Sequence, residues 1–262
     1  MDRYDRASLF QSSSLVMVAV AALSLQSAGC ALQTSQAMGG EKEAESAQDL
    51  KPLVTRVLTR EEQEKLTPKE VLQSLKNGNQ RFVNGTLTVR DHSSQIRKAS
   101  LGQFPKAVIL SCLDSRIPVE DVFDRGIGDI FVARVAGNFE NTDILGSMEF
   151  GCKVAGAKLI VVLGHEQCGA IKAAIDDVEL GNITAMLKNI RPAVKRVEKI
   201  DGDKSSKNDE LVRKVTLENV RMTMENIRAK SDILRQMEQD DAINIVGAYY
   251  NMDTGVVTFF DH

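Results

Sequence analysis

The sequence predicts an α/β domain: a mostly parallel central β-sheet flanked by helices, with an N-terminal helical arm and a C-terminal antiparallel edge strand. Three observations predict it. Short, continuous apolar runs recur at Ala107–Ser111, Ile130–Arg134 and Lys158–Gly164, as expected of strands buried on both faces. Helical stretches alternate with them, which argues for parallel strands covered by helices on both sides. Two last strand-like runs, Ala242–Tyr250 and Val256–Phe260, are joined by the turn-forming Asn251-Met252-Asp253-Thr254-Gly255 and so pair antiparallel.

The first thirty residues read differently from the rest. Arg3 and Arg6 precede an uncharged, largely apolar stretch from Leu9 to Leu25, followed by Ser27-Ala28-Gly29 and Cys30. This is the layout of a secretory signal with a small-residue cleavage site. Gln11 and the neighbouring serines interrupt the apolar run, making it a poor membrane span. Ala28-Gly29-Cys30 resembles the lipobox of bacterial lipoproteins, in which the cysteine becomes the lipidated first residue. Residues 1–29 are therefore expected to be a lipoprotein-type signal peptide, Cys30 a lipid anchor, and the protein exported to the periplasm or membrane-anchored. Residues 30–64 are expected to be a flexible linker, since 31–50 are small and polar. A catalytic domain then occupies 65–262.

The helical arm should begin at Thr67. Thr67 is a good N-cap, Pro68 suits the first helical position, and Glu70 completes a capping box. Val71, Leu72, Leu75 and Phe82 give the arm its apolar stripe. Further helices are expected at Val119–Phe123, from Thr142 to Ala155, from Gly169 to about Val178, and in charged stretches at 184–199 and 209–229. A loop falls around Asp201–Asn208, and Ser231 caps a last short helix.

Composition narrows the function. Hydrophobic residues make up 43% and charged residues 26%, ordinary for a folded domain, and the formal net charge is -3. No basic footprint for nucleic acid exists, and with 5% aromatics and no Trp there is no base-stacking platform either. No nucleic-acid partner is expected.

The chemistry-bearing residues form two clusters. Ser111-Cys112-Leu113-Asp114-Ser115-Arg116 and Gly164-His165-Glu166-Gln167-Cys168-Gly169 both lie just past the carboxyl ends of predicted strands, where ligand chemistry collects in open α/β sheets. Cys152 reads as a buried free thiol. For Cys112 and Cys168 in an exported protein, a disulfide competes with a bound metal. His165 and Cys168, three apart, suit zinc, and Cys112 at a matching strand end adds a third soft donor. Asp114 has two options. It can complete the metal's coordination, or it can pair with Arg116, leaving a coordination position open.

Cys-x-Asp-x-Arg at Cys112, Asp114 and Arg116, followed about fifty positions later by His-x-x-Cys at His165 and Cys168, resembles the zinc signature of the β-carbonic anhydrases. Phe131-Val132-Ala133-Arg134-Val135-Ala136-Gly137-Asn138, Gly146-Ser147-Met148-Glu149-Phe150, Val161-Val162-Leu163-Gly164-His165 and the arm from Thr67 to Phe82 are also similar to that family, over roughly residues 65–262. The resemblance implies reversible hydration of carbon dioxide to bicarbonate and a proton by hydroxide generated at zinc. It implies one Zn2+ per chain on Cys112, His165, Cys168 and, conditionally, Asp114. Asp114 and Arg116 would be the catalytic pair, and Val135, Ala136, Gly137 and Gly169, with Ala170, the wall of the substrate pocket. It also implies a homodimer or dimer of dimers, with the helical arm packing on a neighbour, although the arm's apolar stripe suits packing on the chain's own body equally well. The tryptophan-containing bicarbonate pocket of some regulated members is not implied, because the chain has no Trp. Three rival readings stand beside it: a CS2 or COS hydrolase of the same fold, a non-catalytic zinc-binding protein, and a thiol–disulfide protein using Cys112 and Cys168.

Overall fold

A computed structural model describes residues 53–197 and 202–260. The expected signal peptide, Cys30 and most of the expected linker lie outside the described residues. Five strands, β1 (Ala107–Ser111), β2 (Ile130–Arg134), β3 (Leu159–His165), β4 (Asn244–Tyr250) and β5 (Val257–Phe260), form one sheet in the order β2-β1-β3-β4-β5. The first four run parallel and β5 is antiparallel to β4 at the edge. β1 and β3 are buried at every position, as their unbroken Val/Ile/Leu runs require. β2, at the other edge, is half-buried along its whole length.

Alternate strand residues feed two cores, following the period of two along a strand. Ile109, Val161, Leu163 and Val246 pack on one face with Val71, Leu75, Ile171, Ile190 and Val215. Val108, Leu110, Ile160 and Ile245 pack on the other with Met148, Cys152, Val220, Met224 and Ile227. The register sets Ser111 beside both Arg134 and Leu163. Consequently the segments after β1, β2 and β3 emerge at one end of the sheet.

The helical arm, α2 (Pro68–Val83), has the expected capping box: the Glu70 amide donates to Thr67 Oγ1 and the Thr67 amide donates to Glu70 Oε2 at 2.8 Å. Val71 and Leu75 are buried in the chain's own core, where α2 packs on α4 (Val119–Val122), and Leu72 and Phe82 are partly buried against the same core. The approach is close: a Cβ at Gly78 would sit 1.9 Å from the Phe123 carbonyl oxygen.

Two helices escaped the sequence reading. α1 (Arg60–Glu64) lies inside the stretch expected to be linker, and its own capping box joins Thr59 to Glu62. Val54 bridges Arg90, and the buried Gln63 donates to the carbonyls of Pro105 and Ala155. These ties bring the N-terminal boundary of the folded domain forward of residue 65. α3 (His92–Ala99) is the second, short and with an exposed Ile96.

The helix expected over 142–155 is α5 (Thr142–Glu149) continued by one π-helical turn, Phe150–Val154. There Gly151 lies against Val108, where a Cβ would be 2.6 Å from Cγ2. α6 (Gly169–Ile175) ends earlier than expected, and the 184–199 stretch resolves into α7 (Gly181–Leu187) and α8 (Arg191–Arg196). α9 (Asp209–Lys230) crosses the sheet, and α10 (Asp232–Gln239), capped by Ser231, leads into β4.

Candidate metal centre

β1 and β3 deliver Cys112 and His165 to the same end of the sheet, and the turn after β3 brings Cys168 to the start of α6. Donor atoms of Cys112, His165 and Cys168 all lie within 4.8 Å of one another, and all three residues are buried. The two sulfurs are 3.9 Å apart, far beyond the ~2.05 Å of a disulfide. That spacing is close to the ~3.8 Å separating two thiolates on a tetrahedral ion with metal–sulfur bonds of about 2.3 Å.

His165 is oriented for coordination. Its Nδ1–H donates to the Glu166 carbonyl at 2.8 Å, which leaves the Nε2 lone pair free. Nε2 is buried and has no hydrogen-bond partner. A buried acceptor without a partner costs about 1–3 kcal/mol, and a cation among the three donors removes that cost. The residues present thus fit a zinc ion.

The sulfurs are tuned by their surroundings. The Cys168 thiol beside it, then His165 and the Gly137 amide, draw Cys112 down to about 4 against the opposing effect of burial. The same contact with Cys112, together with burial, pushes the Cys168 thiol well up. Backbone N–H groups of Ile171 and Ala170 partly offset this for Cys168. Two buried sulfurs this close favour a soft cation between them, since a metal ligand is the thiolate. Cys152, by contrast, has nothing but burial acting on it and is pushed up to about 12. It is the inert thiol that the sequence suggested.

Asp114 stands apart from the three gathered donors. Arg116 holds it with Nε to Oδ1 at 2.9 Å and Nη2 to Oδ2 at 2.7 Å, and the Arg116 amide adds a third bond at 3.0 Å. Of the two partners open to Asp114 in the sequence, Arg116 is the one it pairs with in this structure. Arg116 holds its carboxyl down at about 2.

The pocket residues read from the sequence have mixed placements. The Gly137 amide donates to Cys112 Sγ at 3.3 Å, and its φ of +86° with a Cβ position 2.4 Å from Ile190 Cδ1 requires glycine. Val135 and Ala136 are half-buried on the same loop, and the Val135 amide donates to the Ser111 carbonyl. Gly169 is exposed at the first position of α6, with open space where its side chain would be.

Two residues that position the site were missed. Arg134, at the end of β2, donates to the carbonyls of Cys112 at 2.9 Å and Ile117 at 2.6 Å, pinning the loop that carries Cys112 and Asp114. Asn219, buried on α9, donates to the Gly137 carbonyl at 2.8 Å. A polar residue among Val215, Thr216, Val220 and Thr223 on the buried face of a helix was the available signal for it. Glu166 and Gln167, the pair inside His-x-x-Cys, are structural: Glu166 accepts from Asn251 Nδ2 and the Met252 amide, and Gln167 donates to Asp209.

A family model described as carbonic anhydrase matches residues 107–257. Carbonic anhydrase 2 of Mycobacterium tuberculosis is 36% identical over 204 residues, covering 74% of this chain and 94% of the relative. The carbonic anhydrase of Mycolicibacterium smegmatis is 36% identical over 203 residues with the same coverage. Among solved structures, the Coccomyxa β-carbonic anhydrase in complex with acetazolamide superposes with a TM-score of 0.57 at 25% identity, covering 64% of this chain and 79% of that one. A tetrameric β-carbonic anhydrase of Sordaria macrospora shares the fold, with a TM-score of 0.57 at 22% identity over 64% of this chain and 86% of that one. Matched along more than half its length, with its cysteines and histidine gathered at the strand ends, this chain belongs to the carbonic anhydrase family, in the β class.

Proposed function

We infer that this protein catalyses the reversible hydration of carbon dioxide to bicarbonate and a proton, with one Zn2+ per chain held by Cys112, His165 and Cys168. One observation carries the reading: a buried, unpartnered imidazole nitrogen converges with two sulfurs while Arg116 draws Asp114 aside. Zinc, when bound, is a Lewis acid that lowers the pKa of water from about 15.7 to about 7. The protein's own residues do the rest. Asp114, kept ionised by Arg116, is an acceptor for a water O–H and so orients the nucleophile. The loop of Val135, Ala136 and Gly137, with Ala170 beside Gly137 and Gly169 preceding it, offers carbon dioxide an apolar, backbone-lined wall.

Against a non-catalytic zinc protein stands the Asp114–Arg116 pair, which leaves room for solvent among three ligands. Against a thiol–disulfide protein stands the sulfur separation. A CS2 or COS hydrolase would use the same ligands, and parallel steady-state assays separate the substrates. The deciding experiment is stopped-flow carbon dioxide hydration from neutral to alkaline pH together with metal analysis. One zinc per chain and activity rising with pH are expected, with both zinc and activity lost in Cys112→Ser and His165→Ala. Full activity in His165→Ala ends the reading.

A homodimer, or a dimer of dimers, is proposed on the β2 edge. Phe150 is 50% and Val154 71% exposed, and a cavity of about 660 Å3 opens among Phe131, Ile144 and Phe150. Such an apolar, half-covered edge suits a second copy. Export and lipidation at Cys30 are proposed from the leader pattern alone. Mass spectrometry of the mature N-terminus after membrane fractionation tests them, and an unprocessed Met1 in the soluble fraction would refute both.

A further inference from the structure

A second polar site lies at the opposite end of the sheet from the metal ligands. Lys106 immediately precedes β1 and Asp129 immediately precedes β2, so the site is a strand's length away from Cys112, about 17 Å at ~3.3 Å per residue. There a cavity of about 200 Å3 is lined by Arg56, Arg81, Arg90, Arg125 and Lys106, facing Asp124 and Asp129. This is below the ~300–1,000 Å3 typical of sites for larger ligands, so its occupant is small.

The charges do not balance. Asp124 is shared by Arg81 and Arg90, Lys106 pairs with Asp129, and Arg56 pairs with Glu62 at the rim. Among the described residues Arg125 has no carboxylate within salt-bridge distance, although Asp129 and Asp124 lie near enough to act on its charge. It donates to the Phe123 carbonyl and to the hydroxyl and carbonyl of Ser74. Five cations against three carboxylates leave an excess of two positive charges, and a partly desolvated cluster of that sign favours an anion. Guanidinium groups bind oxyanions through paired N–H donors.

The cavity also offers one unused acceptor. Gln95 is 2% exposed, its Nε2 donates to the Arg56 carbonyl at 3.0 Å, and its Oε1 is buried without a partner. An anion carrying an O–H would satisfy it, and one without would not.

We propose that this cavity binds inorganic hydrogen phosphate, a small dianion whose charge matches the excess of arginine and whose single hydroxyl donates to Gln95 Oε1. Sulfate has the charge but no donor. Bicarbonate has the donor but one charge too few.

Isothermal titration of the full, zinc-loaded protein with inorganic phosphate, sulfate and bicarbonate, at matched ionic strength in chloride, tests this. Saturable phosphate binding is expected, at least tenfold tighter than sulfate. Arg125→Gln should weaken phosphate tenfold or more. The rim variant Arg56→Gln, whose side chain is 67% exposed, should weaken it severalfold. Gln95→Met should bring phosphate and sulfate to nearly equal affinity. Phosphate binding no tighter than chloride, bicarbonate binding in preference to phosphate, or phosphate affinity unchanged in both arginine variants would each overturn the proposal. The last result would place the anion at the metal centre instead.

Discussion

Asn219 and Gly137, eighty-two positions apart, are joined by a 2.8 Å hydrogen bond from the Asn219 amide to the Gly137 carbonyl, while the Gly137 amide donates to Cys112 Sγ. A helix on one face of the sheet thereby holds the loop that hydrogen-bonds a ligand sulfur. Replacing Asn219 with Leu should cost about 1–3 kcal/mol of stability by orphaning a buried carbonyl. It should also weaken zinc retention by about 10–100-fold, as the loss of an outer-shell partner does. Chemical denaturation and chelator competition measure the two effects separately. Unchanged zinc retention in a destabilised variant would reduce Asn219 to a packing role.

Arg116 decides where Asp114 points. Arg116→Ala removes both side-chain hydrogen bonds to Asp114 and frees the carboxylate to turn toward the ligand cluster. Carbon dioxide hydration is expected to fall at least tenfold while zinc content stays at one per chain. A crystal structure of the variant should place Asp114 on the metal. Retained activity would show that the pair is only a surface contact.

Asp124 predicts an acid limit to stability. Burial pushes its carboxyl up, but the Thr88 hydroxyl, Arg81, Arg90 and the Thr88 amide outweigh burial and hold it at about 2, below its ordinary 3.8. Because the folded value is depressed, the ionised form favours folding. That stability is present in full above about pH 4 and is lost as pH falls toward 2, amounting to about 2 kcal/mol. Asp124→Asn is a clean comparison, since Asn tolerates the φ of 48° at this position. Urea midpoints followed from neutral pH to pH 2 should converge for the two proteins at the acid end. A constant gap between them would contradict the assignment.

The β2 edge should control assembly. Phe150→Asp places a charge in the half-exposed apolar face beside Phe131. Sedimentation should show a shift toward monomer with the fold intact by circular dichroism. An unaltered oligomer would place the interface elsewhere.

Strands β1 and β2 were legible to the residue because short runs of four consecutive apolar residues, each closed by a polar one, have few other stable placements. The arm α2 was legible because Thr67, Pro68 and Glu70 write its start into adjacent positions. α1 and α3 were not: they are short and polar, and tertiary ties at Val54, Gln63 and Gln95 hold them in place. The π turn at Phe150–Val154 kept the look of an ordinary helix in the sequence, and there Gly151 packs closely on Val108. α7 and α8 read as one stretch because no Gly or Pro marks the turn at residues 188–190.

By itself the sequence determined the α/β alternation and the two clusters at strand ends, because each strand and each cluster is written in residues close together along the chain. The tertiary structure decided that Cys112, His165 and Cys168 converge, that Val71 and Leu75 of the arm enter the core, and that Arg134 and Asn219 brace the loops beside them. Those outcomes depend on which distant groups share a few ångströms. Local spacing cannot encode such distances until the sheet has set its strand order.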